Sequence, residues 1–291
     1  MSSQVIAVTG ATGGLGGRVA ARLAETGVAP RLLVRDAARA PGLPGADVAE
    51  FAGYHDGESM RRALEGADTL FLVSAAEAED RVTLHATAVD AAVAAGVQRI
   101  VYTSFASAAP DAVFTLARDH HHTEEHIRAT GLDHVFLRHN LYIELIPQMC
   151  PPEGVIRGPA GDGRVALVSR DDLADVAAVV LTGHGHEGRT YEVSGAEALT
   201  MAEAAAELSR VTRRHITFEN QTLEEARASR DDGETPGWQI EAWVTSYAAM
   251  AAAELERVTE TVEELTGHQP KRLLDWLRDH PQAYRHLLAT A

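Results

Sequence analysis

Gln4-Val-Ile-Ala-Val-Thr-Gly-Ala-Thr-Gly-Gly-Leu-Gly-Gly17 decides the fold of this chain. An apolar strand, Val5 to Val8, runs straight into Gly10, Gly13 and Gly16, and a helical segment follows from Leu15 to Thr26. A turn this tight presents bare backbone N–H groups, and the positive end of the helix dipole lies beneath them. Glycines at such spacing let a pyrophosphate approach the backbone, which is the entry to a dinucleotide-binding βα unit. The residues expected to hold the phosphates are Gly10, Thr12, Gly13, Gly14, Leu15 and Gly16.

Working outward, apolar runs alternate with amphipathic segments. Strands are predicted at Pro30–Arg35, Asp47–Phe51, Thr69–Val73, Arg99–Thr103 and Asp133–Arg138. Helices are predicted near Ser59–Glu65, Arg81–Ala95 and Phe114–Thr130. Continuous apolar strands between helices imply a parallel sheet covered on both faces. Right-handed crossovers then give an α/β, doubly wound Rossmann fold.

After Asn140 the pattern changes. Pro147, Pro151, Pro152 and Gly158-Pro-Ala-Gly-Asp-Gly163 mark irregular chain. A helix near Asp171–Leu181 and a strand at Thr190–Val193 return to the sheet. The rest reads as largely helical, with one strand candidate at Ile216–Glu219 and a polar loop at Arg230–Pro236. The expected division is a dinucleotide-binding domain, residues 1–139 plus about 170–195, and a smaller, mostly helical substrate lobe, residues 140–169 and 196–291.

The net charge of −16 disfavours nonspecific nucleic-acid binding. Cys150 is the single cysteine, so no intrachain disulfide framework exists and a reducing, cytoplasmic setting is expected. No apolar run reaches the length of a membrane span. Abundant alanine and arginine fit a GC-rich bacterial genome.

The tip of the second strand chooses between nucleotides. An acidic residue there accepts from the adenosine ribose hydroxyls of NAD, whereas arginine pairs with the 2′-phosphate of NADP. The strand ends Leu33-Val-Arg35, with Asp36 one step on. Arg35 favours NADP(H); Asp36, if turned to the ribose, restores NAD(H). Asp56 follows the third strand and is placed to approach the adenine edge.

Reactive ends of cofactors lie at the carboxyl ends of the central strands. Those ends are Ser74 and Ala75, then Thr103 and Ser104, then Arg138 to Tyr142. Hydroxyls of Thr103 and Ser104 are candidates to position a carbonyl, or simply strand-end caps. Lys271 is the only lysine, and no Tyr-x-x-x-Lys pair occurs anywhere. His122 and His126 share a helix face at a spacing usable for zinc, without a third ligand in the sequence, so no metal is expected. Ile240, Trp243, Tyr247 and Met250 recur at helical spacing, a stripe expected in core or as a wall for a flat substrate.

Gly-x-x-Gly-x-x-Gly resembles the short-chain dehydrogenases, whose usual Tyr-x-x-x-Lys proton relay is missing here. Thr9-Gly-Ala-Thr-Gly13, Leu33-Val-Arg35, Val101-Tyr-Thr-Ser104, Leu116 to Glu124, Gly131-Leu132 with Leu137-Arg138, Tyr142, Gly154 to Arg164 and Ser169 to Ala174 resemble the atypical, NmrA-like branch. Within it the chain is most similar to type 2 NAD(P)H:quinone oxidoreductases and triphenylmethane reductases. The resemblance implies that His120 occupies the place of the dehydrogenase lysine, touching the nicotinamide ribose or relaying a proton. It also implies that Asn140 and Tyr142 flank nicotinamide and substrate. It implies an NADPH-preferring reductase of a quinone or another conjugated planar substrate, possible as a biosynthetic tailoring enzyme and as a homodimer. A second class stays open: a non-catalytic NADP(H)-sensing regulator that binds a protein partner.

Overall fold

A computed structural model describes residues 4–288. The chain divides into two compact units. The first comprises the chain up to Ala108, Asp119–Arg138 and Leu173–Glu192; the second comprises Ala109–Arg118, His139–Asp172 and the chain from Val193 onward.

In chain order the elements begin β1 (Ile6–Val8), α1 (Gly16–Glu25), β2 (Arg31–Val34), β3 (Asp47–Glu50), α2 (Gly57–Leu64), β4 (Thr69–Leu72), α3 (Arg81–Ala94), β5 (Arg99–Phe105), α4 (Thr115–Thr130) and β6 (Asp133–His139). They continue with α5 (Ile146–Met149), β7 (Val155–Gly158), β8 (Arg164–Val165), α6 (Arg170–Thr182), β9 (Thr190–Val193), β10 (Leu199–Thr200), α7 (Met201–Thr212), β11 (Thr217–Asn220) and α8 (Leu223–Ala228). Last come α9 (Gly237–Ala251), α10 (Thr261–Thr266) and α11 (Leu273–Asp279).

The main sheet is parallel, with seven strands in the order β3-β2-β1-β4-β5-β6-β9. Every residue of β4 and β5 is buried, the mark of strands covered on both faces. Met60, Leu64, Leu70, Val89, Ile100 and Phe136 belong to one core cluster. By contrast β3 is mostly exposed at the sheet edge. Strand order reverses between β1 and β4, and the crevice at their carboxyl ends is where such sheets bind ligands. The Rossmann expectation therefore holds.

The second unit carries more strand than the sequence reading allowed. β7 pairs in parallel with β11, and β8 pairs antiparallel with β10. Strands of two to four residues inside a Gly- and Pro-rich stretch are too short for alternation to show. Gly158 illustrates the point. It reads as a loop residue, yet it is the last residue of β7, and the Tyr247 ring lies so close to its backbone that a Cβ there would clash with it. Ile240, Tyr247 and Met250 are buried, as expected of core, and Trp243 is the exposed member of that stripe.

Candidate functional site

Gly10 sits at φ +62°, in the left-handed region that favours glycine, and ends the strand sharply. Its carbonyl accepts from the Gly13 N–H at 2.8 Å. A Cβ on Gly13 would press against that same oxygen at 3.1 Å. A Cβ on Gly16 would stand 2.5 Å from the Thr9 carbonyl oxygen and closer still to that of Gly10. Thus Gly16 lets the first turn of α1 pack on the strand. Its neighbours Thr12, Gly13 and Gly14 stay exposed, while Leu15 and Gly16 are buried. No side chain caps the start of α1, and no acidic residue stands in its first turn. The helix therefore offers its first N–H groups to an anion, and the cradle fits a pyrophosphate.

Beside this cradle lies a cavity of about 460 Å³ lined by Gly10, Gly13, Arg35, Tyr54, Ser74 and Ala75, among others. This size suits a nucleotide. Tyr54 is anchored beneath it, its hydroxyl 2.7 Å from Thr9 Oγ1 and 2.6 Å from the Val73 carbonyl. Burial pushes the Tyr54 phenol well above its ordinary range, so it stays protonated. Arg35 is exposed at the rim. Asp36 is otherwise engaged: its carboxylate accepts from the Ala38 N–H at 3.0 Å and caps a short 3-10 turn, Ala37–Arg39. Asp56, expected near the adenine, caps α2 by accepting from the Ser59 N–H at 2.9 Å.

The carboxyl ends of β4 and β5 are joined by side chains. Thr103 Oγ1 accepts from the Ser74 N–H at 2.8 Å, which ties the two strand ends together. Ala75 is held through both backbone groups. Its N–H donates to His85 Nε2 at 2.8 Å, and its carbonyl accepts from Arg81 Nε at 3.0 Å. Since Nε2 accepts, His85 carries its hydrogen on Nδ1, where Thr123 Oγ1 lies 2.8 Å away. Burial, and secondly the Arg81 charge, push the His85 pKa down to about 3. A depressed folded-state pKa means that the neutral form is what the fold binds. Its contribution to stability is complete above pH 6.5 and is lost as pH falls toward 3. In an NMR titration the His85 ring signals are expected to stay flat from about pH 8 to 5; an inflection near the ordinary histidine pKa would refute this.

His120 joins the same network. Arg81 Nη2, which only donates, lies 3.0 Å from His120 Nε2. The hydrogen of neutral His120 is then on Nδ1, 2.8 Å from the Tyr102 hydroxyl. Phe105 stacks on the imidazole with centroids 6.0 Å apart. Both ring nitrogens are thus engaged inside the first unit, in an arrangement that leaves neither as an evident proton donor to a bound molecule. Of the neighbouring histidines, His126 contacts Asp90 at 2.8 Å, and His122 is exposed.

Ser104 is buried and donates to Glu124 Oε1 at 2.5 Å. A hydroxyl has one hydrogen, so this bond competes directly with the expected donation to a substrate carbonyl. Arg138 clamps the same carboxylate through Nε at 2.8 Å and Nη2 at 2.7 Å. In the second unit, Asn140 uses both ends of its amide: Oδ1 accepts from the Leu141 N–H and Nδ2 donates to the Leu255 carbonyl, each at 2.8 Å. Tyr142 stacks on His139 with centroids 4.6 Å apart, and the Arg170 guanidinium lies 4.2 Å from its ring centre. Burial raises the Tyr142 phenol above its ordinary range.

The structure therefore gathers Gly10, Thr12, Gly13, Arg35, Ser74 and Ala75 around one cavity. Arg81, His85 and Tyr54 escaped the sequence reading. One signal for the first two exists: an arginine and a histidine four residues apart, a spacing that puts both on one face of α3.

Comparison with known proteins agrees with this geometry. Residues 2–271 match the NmrA-like family. The chain is 36% identical to a (4-alkanoyl-5-oxo-2,5-dihydrofuran-3-yl)methyl phosphate reductase of Streptomyces griseus, over 96% of this chain and 99% of that one. It is 32% identical to quinone oxidoreductase 2 of Escherichia coli, over 93% of this chain and 96% of the relative. The solved structure of an NADPH-dependent quinone oxidoreductase from Escherichia coli, complexed with NADPH, superposes with a TM-score of 0.86 at 32% identity, covering 94% of this chain and 99% of that one. With its glycine cradle, its sheet order and a match along most of its length, the chain belongs to the NmrA-like family.

Proposed function

We propose that this protein is an NADPH-preferring oxidoreductase that reduces a quinone or another conjugated planar substrate. The observation that carries the cofactor preference is the pair at the tip of β2: Arg35 lies on the rim of the nucleotide cavity, while Asp36 is committed to its own backbone turn. An arginine there pairs with a 2′-phosphate, while Asp36, one oxygen of which caps the following turn, is not among the residues that line the cavity. The relatives support the reaction class, being named as reductases of a phosphorylated oxo-dihydrofuran, of quinones and, in Xenophilus azovorans, as an NAD(P)H azoreductase.

The bound nicotinamide supplies a hydride. This chain supplies orientation: backbone N–H groups from Gly10 to Gly16 for the pyrophosphate, Arg35 for the 2′-phosphate and the Ser74–Ala75 wall for the inner part of the nucleotide. An acceptor that is conjugated takes its proton from water after reduction, which suits a site where His120 and Ser104 have their hydrogens engaged. A homodimer and a cytoplasmic location complete the proposal; among the described residues no helix is long and apolar enough to cross a membrane.

The test is oxidation of NADPH and NADH with a panel of quinones and cyclic enones. Arg35→Ala is expected to raise KM for NADPH by roughly ten- to a hundredfold, the worth of one charge-assisted bond, and to leave KM for NADH unchanged. Equal losses with both nucleotides would defeat the Arg35 assignment. Cofactor binding without turnover of any acceptor would favour the sensing regulator.

A further inference from the structure

We propose that Arg81 and His85 are positioning residues for the nicotinamide cofactor, because together they hold Ala75, a wall residue of the nucleotide cavity, through both of its backbone groups. The proposal rests on the reading of that cavity as the NADPH site.

Arg81 and His85 lie one turn apart on α3, and both are buried. One takes the Ala75 carbonyl at 3.0 Å, the other its N–H at 2.8 Å. The turn between β4 and α3, with no regular hydrogen-bond ladder of its own, is thereby fixed in one conformation. Ser74, Ala75 and Ala76 of this turn line the cavity, as does Leu84 on α3.

The orientation of Arg81 argues for this task over a plain ion pair. Its carboxylate neighbour, Asp119, lies 3.5 Å from Nη1, yet Nη1 is buried with no hydrogen-bond partner among the described residues. The well-formed bonds are those of Nε to Ala75 and of Nη2 to His120. The guanidinium is therefore placed to bond the cavity wall through Nε and His120 through Nη2, while its ion pair with Asp119 stays long at 3.5 Å. His120 and Thr123 on α4, together with Tyr102 on β5, brace the two α3 side chains from behind. His120 thus serves the cofactor through Arg81.

Preorganisation of a wall shows in cofactor affinity more than in the chemical step. The first measurement is NADPH binding by the intact wild-type protein, followed by steady-state kinetics of Arg81→Met, His85→Leu and His85→Gln. Arg81→Met and His85→Leu are expected to raise KM for NADPH roughly tenfold, a larger change than in kcat, with KM for the acceptor unmoved. His85→Gln, whose amide oxygen can accept from the Ala75 N–H, is expected to recover most of the affinity. Variants that keep the wild-type affinity for NADPH and merely melt earlier would overturn the proposal and leave the cofactor reading intact. A wild-type protein that binds no NADPH would remove both. Should the substitutions prevent folding, amide exchange of the wild type decides: an Ala75 N–H already protected without NADPH supports the clamp, and one that exchanges freely until NADPH is added overturns it.

Discussion

Replacing Glu124 with alanine is expected to lower the midpoint of thermal unfolding by roughly 5 °C, the consequence of about 3 kcal/mol lost from a buried charge cluster. The Glu124 carboxylate is fully buried. It accepts from Ser104 at 2.5 Å, from Arg138 at 2.8 and 2.7 Å and from Arg128 at 3.1 Å. Removing it leaves the Arg138 guanidinium, 19% exposed, with Glu192 at 3.5 Å as its remaining carboxylate. A half-buried cation stripped of its close partner costs more than the bond itself contributed, because its desolvation is no longer offset. Arg128 is 37% exposed and recovers water, which keeps the total near the lower end of such effects. Ser104→Ala removes a single charge-assisted bond and is expected to cost about half as much. Circular dichroism melts of the three proteins check this ordering. A Glu124→Ala midpoint within about two degrees of wild type would show that the cluster adds little. A Ser104→Ala enzyme that melts normally but loses turnover would return Ser104 to the chemistry.

What was legible in the sequence, and what was not, follows from the range over which each feature is encoded. Strands such as Thr69–Leu72 lie in a doubly covered sheet, so their whole length is apolar and stands out between helices. The glycine cradle is legible because its requirement is local: backbone spacing alone dictates where a Cβ cannot be. Arg35 is legible for the same reason, since it is the tip of a strand whose place in the fold is known once β1 is recognised. β7 and β8 were not legible. Their pairing depends on partners some 35 to 60 residues further on, and neither is long enough to show a period.

The buried polar network lies between these cases. His120 stood out as a residue, but its role depends on which atoms meet its two nitrogens. Those atoms belong to Arg81, 39 residues earlier, and to Tyr102, 18 residues earlier. Likewise Ser104 is a natural donor on paper, and only the fold shows its hydrogen directed at Glu124. Polar residues inside continuous apolar runs, Tyr102 in β5 among them, signal that a partner exists without naming it.

Gly16→Ala is expected to be the most damaging single-methyl change in the nucleotide site. Its new Cβ would stand 2.5 Å from the Thr9 carbonyl oxygen and nearer to that of Gly10. Both are backbone atoms, fixed by β1 and by the turn that carries the phosphate-binding N–H groups, so neither can swing aside as a side chain would. Relief has to come from α1 moving off the strand, at a cost of about 1–3 kcal/mol in stability. The same movement withdraws the helix N-terminus from the Gly10–Gly13 turn, so the N–H groups no longer converge on one anion. NADPH affinity is accordingly expected to fall by roughly a hundredfold, well beyond the loss in thermal stability. Gly42→Ala is the matched control, because no atom lies within 4 Å of the position a Cβ would take there. Calorimetric titration of both variants with NADPH distinguishes the outcomes. A Gly16→Ala protein that is less stable but binds NADPH as tightly as Gly42→Ala would mean that α1 packs against the strand without setting the phosphate site. Loss of binding in Gly16→Ala alone would mean that the contact between helix and strand is what holds the cradle in its binding shape.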